Sequence, residues 1–159
     1  MQNISKALLL WGTICLVGFG IFEFAQTDLP TFLASWGMLL VIGIAGLFAW
    51  VPGVQRKSFV LSWTVIVVIG LGISAAWLSG ALPPGGIPFP FFSLWLVLLA
   101  AGFFLTGFRT HEKAWAGIGI LNLLVLAGVL FSFPPVVEHV AGLMALVNGV
   151  PSILMAFKY

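Results

Sequence analysis

The sequence contains very few charged residues. Only 6% of its 159 residues are Asp, Glu, Lys or Arg, whereas 62% are hydrophobic. Because a soluble domain carries roughly 25% charged residues, six basic and four acidic side chains cannot cover the surface of a folded chain of this length in water. The scarcity of charge excludes an ordinary soluble domain. A net charge of +2 also gives no reason to expect a nucleic-acid partner.

Cysteine is nearly absent as well. Cys15 is the only one, and it lies within an apolar segment. An intramolecular disulfide and a cysteine-based zinc site are therefore excluded. No Ser, His and Asp are predicted at the same depth in the membrane, where they could form a catalytic triad. No Gly-rich phosphate-binding loop precedes a helix. The sequence predicts no enzyme, no cofactor and no metal site.

Long hydrophobic runs dominate the sequence. Six runs lie at approximately 5–26, 31–51, 58–79, 91–109, 114–133 and 136–157. Each has about 20 residues, the length of a helix that crosses a bilayer. The pattern predicts an all-α integral membrane protein with six transmembrane helices, and residues 1–159 form a single transmembrane domain surrounded by lipid.

The breaks between the runs alternate in chemistry. Proline turns without a basic residue follow runs one, three and five, whereas basic residues follow runs two, four and six. All the basic residues then fall on one side of a six-span protein: Lys6, Arg56, Lys57, Arg109, Lys113 and Lys158. The positive-inside rule places both termini in the cytoplasm. The protein is predicted to lie in the plasma (inner) membrane of a prokaryote.

The alternation is also an internal repeat. Trp11, Trp63 and Trp115 are spaced 52 residues apart, and each lies near the predicted cytoplasmic start of an odd-numbered helix. A proline turn follows each tryptophan at a similar distance. The sequence therefore predicts three consecutive helical hairpins, at approximately 5–57, 58–113 and 114–159.

This arrangement resembles the HdeD-like (DUF308 repeat) membrane proteins, in which Gly-rich helices end alternately in proline and in basic residues. The likeness is carried by Trp11 through Gly20 to Pro30, Trp36 through Gly46 to Arg56, Trp63 through Gly72 to Pro83, Trp95 through Gly107 to Arg109, Trp115 through Gly128 to Pro134, and Gly142 through Gly149 to Lys158. The resemblance implies an association with acid or general stress at the plasma membrane. A second likeness, to DUF998-type membrane proteins, rests on Phe133-Pro134 followed by His139 and Gly142.

Small residues inside the predicted helices indicate close helix packing. Small side chains four residues apart let two backbones approach each other in lipid. The candidate packing residues are Gly70, Ser74, Ala141, Ala145 and Gly149. Packing within one chain is the first interpretation, and a seam between copies in a homo-oligomer is the alternative.

Two asparagines are the most polar side chains expected inside the membrane. Asn122 and Asn148 lie roughly 12–15 Å from the cytoplasmic ends of their helices, at a rise of about 1.5 Å per residue. Neighbouring helices would bring them to a similar height. The pair is predicted to act as a hydrogen-bonded clasp beside Pro151, which deprives the Val147 carbonyl of its helical partner. The alternative is a polar step in a solute pathway.

Four titratable residues are predicted at the outer interface: Glu23, Asp28, Glu138 and His139. If they converge, the cluster could relay protons or bind a metal ion. Ordinary interface polarity is the simpler interpretation, since Glu138 is expected in the first turn of the sixth helix, where the helix dipole favours an acid. His139 is the titrating group that an acid response would use.

Three functions are compatible with these features. The first is a stress-associated membrane protein, as the HdeD-like resemblance implies. The second is an accessory subunit of a larger membrane complex, such as a respiratory enzyme. The third is a small solute channel or transporter, either monomeric or homo-oligomeric.

Overall fold

The chain folds into helices throughout the part that the computed structural model describes, residues 2–25, 28–50, 53–80, 91–111, 113–131 and 133–158. These ranges contain seven helices: α1 (Gln2–Ala25), α2 (Leu29–Trp50), α3 (Gly53–Leu78), α4 (Phe91–Thr110), α5 (Lys113–Leu130), α6 (Pro134–Glu138) and α7 (Val140–Ala156). The second predicted proline turn falls within residues 81–90, which lie outside the described residues. The all-helical prediction is confirmed for the described part.

Four of the helices in the described part of the chain are long and apolar enough to cross a membrane. Their candidate spans are Ser5–Ala25, Pro30–Trp50, Phe92–Arg109 and Lys113–Leu130. The apolar stretches of α3 and α7 are shorter, at Val60–Ala76 and Val140–Ala156. These features are those of a helical membrane protein.

The last apolar run differs from the prediction of one continuous helix. The run begins at Pro134 with α6, and the helix breaks at His139, whose φ of −120° and ψ of 28° are not helical. Glu138 is therefore the final residue of a five-residue helix. The expectation that it would lie in a helical first turn is wrong, because the helix starts earlier, at the proline pair, and is interrupted directly after Glu138.

The long helices form a closed ring. Each of α1 to α5 packs against the next long helix in the chain, and α7 packs against both α5 and α1. Among the described helices, the most extensive contact joins α1 to α7. The chain therefore closes on itself, since its two terminal helices are neighbours.

One end of this ring contains the basic residues. There, the Ser5 hydroxyl donates to the Ala156 carbonyl at 2.5 Å, and Ala7, Leu47 and Val60 form a small core cluster. We call this the basic end, because Lys6, Arg109, Lys113 and Lys158 are located at it.

The opposite end contains Glu23, Asp28 and Glu138, and we call it the acidic end. A cluster of aromatic side chains lies next to this end, inside the bundle. Phe22 contacts Phe32 at a centroid separation of 4.7 Å and Phe92 at 5.1 Å. These contacts join the end of α1 to the starts of α2 and α4.

Aromatic side chains fill the interior of the ring. Phe19 lies 4.4 Å from the Trp36 ring, and Trp36 lies 6.1 Å from Trp95 in an edge-to-face arrangement. All three side chains are at most 1% exposed. The buried polar side chains of the described residues are Ser74, Ser93, Thr106, Asn122, Asn148 and Ser152, none of which is charged.

Candidate functional site

The two asparagines meet inside the bundle. Asn122 of α5 donates to the side-chain oxygen of Asn148 at 2.8 Å, and Asn148 of α7 donates back to Asn122 at 3.1 Å. Both side chains are completely buried. The contact expected from their similar depth is thus present between two neighbouring helices.

The remaining amide hydrogens are also bound. The second N–H of Asn122 donates to the Ile118 carbonyl at 2.9 Å, and that of Asn148 donates to the Met144 carbonyl at 2.8 Å. Since an asparagine amide has two hydrogens, all four N–H groups of the pair have acceptors. Asn148 thus uses the Met144 carbonyl rather than that of Val147. A pair saturated in this way has the properties of a clasp and offers no free donor to a solute.

Tryptophans fill spaces that glycines leave in the neighbouring helix. A methyl group placed on Gly43 of α2 would lie 3.1 Å from the Trp11 ring of α1. A methyl group on Gly18 of α1 would overlap the Trp36 ring of α2. Each of the first two helices therefore packs one tryptophan against a glycine of the other, an arrangement that we call the tryptophan–glycine exchange.

The next two helices repeat this exchange. A methyl group on Gly102 of α4 would lie 2.9 Å from the Trp63 ring of α3, and one on Gly70 of α3 would lie 2.7 Å from Trp95 of α4. The indole N–H of Trp63 also donates to the Thr106 hydroxyl at 3.1 Å. These contacts fix both the separation and the register of the two helices.

The predicted packing residue Gly70 thus receives a tryptophan, and Ser74 lies one turn further along α3. Its hydroxyl donates to the Gly70 carbonyl at 2.6 Å, and its side chain is buried. The hydroxyl group is therefore satisfied within its own helix and does not bind a neighbour.

The other small-residue stripe forms the seam between α1 and α7. A methyl group on Gly149 would lie 3.0 Å from the Gly12 carbonyl oxygen, so the two backbones are in direct contact. Ala141 and Ala145 are buried along the same helix, at 1% and 5% exposed. The stripe packs within the chain, so these residues are not available for a seam between copies.

A polar contact closes the same seam at the acidic end. The Glu23 carboxylate of α1 lies 2.7 Å from Nδ1 of His139, and its other oxygen accepts the Gly142 backbone N–H at 3.0 Å. The Glu23 side chain is 14% exposed, whereas that of His139 is 66% exposed. We call these three residues the acidic-end contact. It combines a shielded carboxylate with an imidazole open to solvent.

The other two residues of the predicted outer cluster do not join this contact. Asp28 accepts the Thr31 backbone N–H at 2.8 Å and its hydroxyl at 3.0 Å, so it caps the start of α2. These bonds lower the pKa of Asp28 from its ordinary value. Glu138 is exposed. Within the described ranges, no three His, Cys, Asp or Glu side chains lie close enough to hold a metal ion.

The sequence contains a signal for the tryptophan–glycine contacts, although each contact joins residues on two different helices. Tryptophan precedes glycine by seven residues in each of the first four helices, as Trp11/Gly18, Trp36/Gly43, Trp63/Gly70 and Trp95/Gly102. In α5 the same spacing separates Trp115 from Asn122. Comparison with protein-family models, curated proteins and solved structures finds no match to this chain.

Proposed function

We propose that this chain is a six-pass protein of the prokaryotic plasma membrane that takes part in the response to acid stress, with both termini in the cytoplasm. The observation that carries the proposal is the pairing of Glu23 with His139 at 2.7 Å. It lies at the end of the bundle opposite the basic residues, which is the outer face if the positive-inside rule holds. There an imidazole and a carboxylate connect the first helix to the last.

Six passes are supported by the two shorter helices as well as the four long ones. The apolar stretches Val60–Ala76 and Val140–Ala156 each contain 17 residues, at the lower limit of what spans a bilayer. The first stretch lies in a longer helix, because α3 has 26 residues, whereas the second is the whole of α7 and follows the short helix α6. Both pack into the same ring as the four long helices.

Three copies of one hairpin are supported by the tryptophan–glycine exchange. Trp63 and Gly70 follow Trp11 and Gly18 by 52 residues. Trp95 and Gly102 follow Trp36 and Gly43 by 59 residues. The contacts of one hairpin therefore recur in the next.

The third hairpin contains an amide pair at the corresponding place. Asn122 follows Gly70 by 52 residues, and Asn148 follows Trp95 by 53. Asn122 contacts Asn148 where Gly70 contacts Trp95. We assign the amide pair as the third copy of the exchange, with hydrogen bonds in place of the ring-to-glycine contact.

The acidic-end contact is chemically suited to respond to acid. Histidine changes its charge between about pH 5 and 8, and the His139 side chain is open to solvent. The HdeD-like resemblance independently implies a role in acid or general stress. A channel through the monomer receives less support, because aromatic rings fill the interior and the buried amides are saturated.

The test is survival of cells after an acid challenge. A strain that lacks the gene is expected to survive acid less well than the parent, and the intact gene is expected to restore survival. The variant His139→Asn is expected not to restore it, whereas the matched variant His111→Asn, at the basic end, is expected to restore it fully. All variants are first shown to reach the membrane in equal amounts.

Two results would contradict the proposal. Equal survival of the deletion strain and the parent would remove the stress function. Co-purification of a stoichiometric partner chain in mild detergent, together with loss of the activity of that complex in the deletion strain, would favour the accessory-subunit alternative.

A further inference from the structure

We infer that Glu23 caps the last helix from the first one, and that protonation of its carboxylate releases the two helices from each other at the acidic end. This inference deepens the proposed acid response, on which its biological meaning rests. It names the structural change that acid would produce. The physical claim concerns only the purified protein and can be tested there.

The start of α7 lacks a cap from its own sequence. His139 precedes the helix, and its side chain makes no capping hydrogen bond. The first N–H groups of a helix have no acceptor within the helix, and a side-chain oxygen commonly binds the one at the third position. Gly142 occupies that third position, and its N–H donates to Glu23. A residue 119 positions earlier therefore supplies the missing cap.

Both oxygens of the carboxylate are engaged by partners on the last helix. One accepts the N–H of Gly142 at the positive end of the α7 dipole, and the other lies against the imidazole of His139. With Glu23 ionised, Nδ1 of His139 carries the hydrogen that joins them. A protonated carboxyl group would retain at most a weak neutral bond at each position.

The absence of a side chain at position 142 allows this close approach. A methyl group on Gly142 would lie 3.2 Å from Cγ of Glu23 and 3.3 Å from its carboxyl carbon. A side chain at this position would therefore displace the Glu23 side chain by a few tenths of an ångström. Glycine is unfavourable within helices, so its presence here is explained by the contact that it permits.

No other charge at this end is positioned to replace that of Glu23. Asp28 is bonded to Thr31 on α2, and Glu138 is exposed on α6. By sequence, the acidic ends of α3, α4 and α5 contain no titratable residue, since none occurs in residues 70–95 or 123–137. The groups that can titrate at this end are Glu23, Asp28, Glu138 and His139.

The direction of the pH effect follows from these partners. The ionised carboxylate of Glu23 accepts from both His139 and Gly142. Protonation of Glu23 removes both the anion at the helix start and the charge that holds the imidazole N–H. The contact is therefore weakened when Glu23 is protonated.

Only one end of the seam would open. The direct backbone contact of Gly12 with Gly149 in the middle contains no titratable group, and neither does the bond from Ser5 to Ala156 at the basic end. Both persist when Glu23 is protonated. The movement is therefore a hinge that separates the acidic ends of α1 and α7 while their basic ends stay together.

The experiment measures the distance between spin labels on the two helices. Labels are placed at Ile21→Cys and Leu146→Cys, which are 43% and 56% exposed, in protein whose single native cysteine is replaced by Cys15→Ala. The purified, lipid-reconstituted protein is measured by pulsed electron resonance at neutral pH and at a pH well below the ordinary glutamate pKa of about 4. A longer and broader distance distribution in acid is expected.

Two variants of the labelled protein provide the comparison. Glu23→Gln is expected to give the acid-like distribution already at neutral pH. Glu138→Gln, which removes an exposed acid near the same end, is expected to behave as the unmodified protein. An unchanged distribution between the two pH values would overturn the inference, and this holds even if Glu23→Gln does not fold. A neutral-pH distribution in folded Glu23→Gln identical to that of the unmodified protein would also overturn it.

The outcome is separable from that of the survival test. Helices that separate in acid, in a protein whose deletion leaves survival unchanged, would preserve the hinge and remove the stress function. Acid-sensitive deletion cells with an unchanged label distance would remove the hinge alone.

Discussion

Asn122 and Asn148 donate to each other through their side-chain amides, across 26 positions of sequence. Each amide also donates to the carbonyl one turn before it in its own helix. The hydroxyl of Ser152 in turn donates to the Asn148 carbonyl at 2.7 Å. This chain of bonds joins α5 to α7 without leaving a free amide hydrogen, which is why a structural role for the pair takes precedence over a solute pathway.

The first prediction concerns the removal of one amide. Asn122→Leu leaves the buried Asn148 with an unbound oxygen and an unbound N–H, and an unsatisfied buried polar group costs about 1–3 kcal/mol. The protein is expected to lose about that much unfolding free energy, measured by denaturation in mixed micelles. The double variant Asn122→Leu with Asn148→Leu is expected to lose less than the sum of the single variants. Strict additivity would show that the pair does not act as a clasp.

The second prediction tests the correspondence between the amide pair and the tryptophan–glycine exchange. Asn148→Trp alone is expected to destabilise the fold, because the ring would overlap the Asn122 side chain. Adding Asn122→Gly recreates the combination of Trp95 with Gly70 and is expected to recover much of the loss. The measurement is the thermal midpoint in detergent of the two single variants and the double variant. A double variant less stable than Asn148→Trp alone would contradict the correspondence.

The helices and the depth of the asparagines could be predicted from the sequence because both depend on local chemistry. Apolar length and proline positions place the ends of the long helices within a few residues, and a constant rise per residue gives Asn122 and Asn148 similar heights. Their contact then requires only that α5 and α7 be neighbours, which the short connection between them favours.

The break at His139 could not be predicted in the same way. The run from 136 to 157 is apolar throughout and therefore resembles one helix. The N–H of Gly142 after the break is bound by Glu23, which is too distant in sequence to be recognised as its partner. The exchange of tryptophans into glycines was missed for a similar reason. It links residues on different helices, such as Trp36 and Gly18, and periodicity along a single helix does not show which neighbour faces it.

The third prediction compares two glycines of α1. Gly18 receives the Trp36 ring, whereas a methyl group on Gly20 would meet nothing within 4 Å. Gly18→Ala is expected to destabilise the protein by about 1–3 kcal/mol, the usual effect of overpacking a core. Gly20→Ala is the matched control and is expected to be neutral or slightly stabilising, since alanine favours the helix.

Unfolding free energies of the two variants measured under identical conditions check this prediction. Quenching of tryptophan fluorescence provides a second measurement, since displacement of the Trp36 ring changes its surroundings only in Gly18→Ala. Equal stability of the two alanine variants would show that the Trp36 ring does not depend on the space at Gly18.

The fourth prediction concerns Asp28 and the start of α2. The Thr31 backbone N–H, and then its hydroxyl, hold the pKa of Asp28 below its ordinary value of 3.8. Because the folded pKa is the lower one, ionised Asp28 stabilises the folded protein above that ordinary value. Its contribution is lost as the pH falls through the folded pKa. The contribution of Asp28 is therefore expected to be lost at a lower pH than that at which an ordinary aspartate titrates.

Asp28→Asn separates this titration from the geometry of the cap. Asparagine is also a good N-cap residue but carries no charge, so the variant is expected to retain the helix start and to lose the pH dependence that Asp28 contributes. The difference in thermal midpoint between the two proteins should be largest at neutral pH and shrink as the pH falls below 3.8. A difference that stays constant over this range would show that the Asp28 cap does not depend on charge. Because both side-chain hydrogen bonds of Asp28 go to Thr31 of α2, its titration should leave the spin-label distance between α1 and α7 unchanged, which distinguishes it from protonation of Glu23.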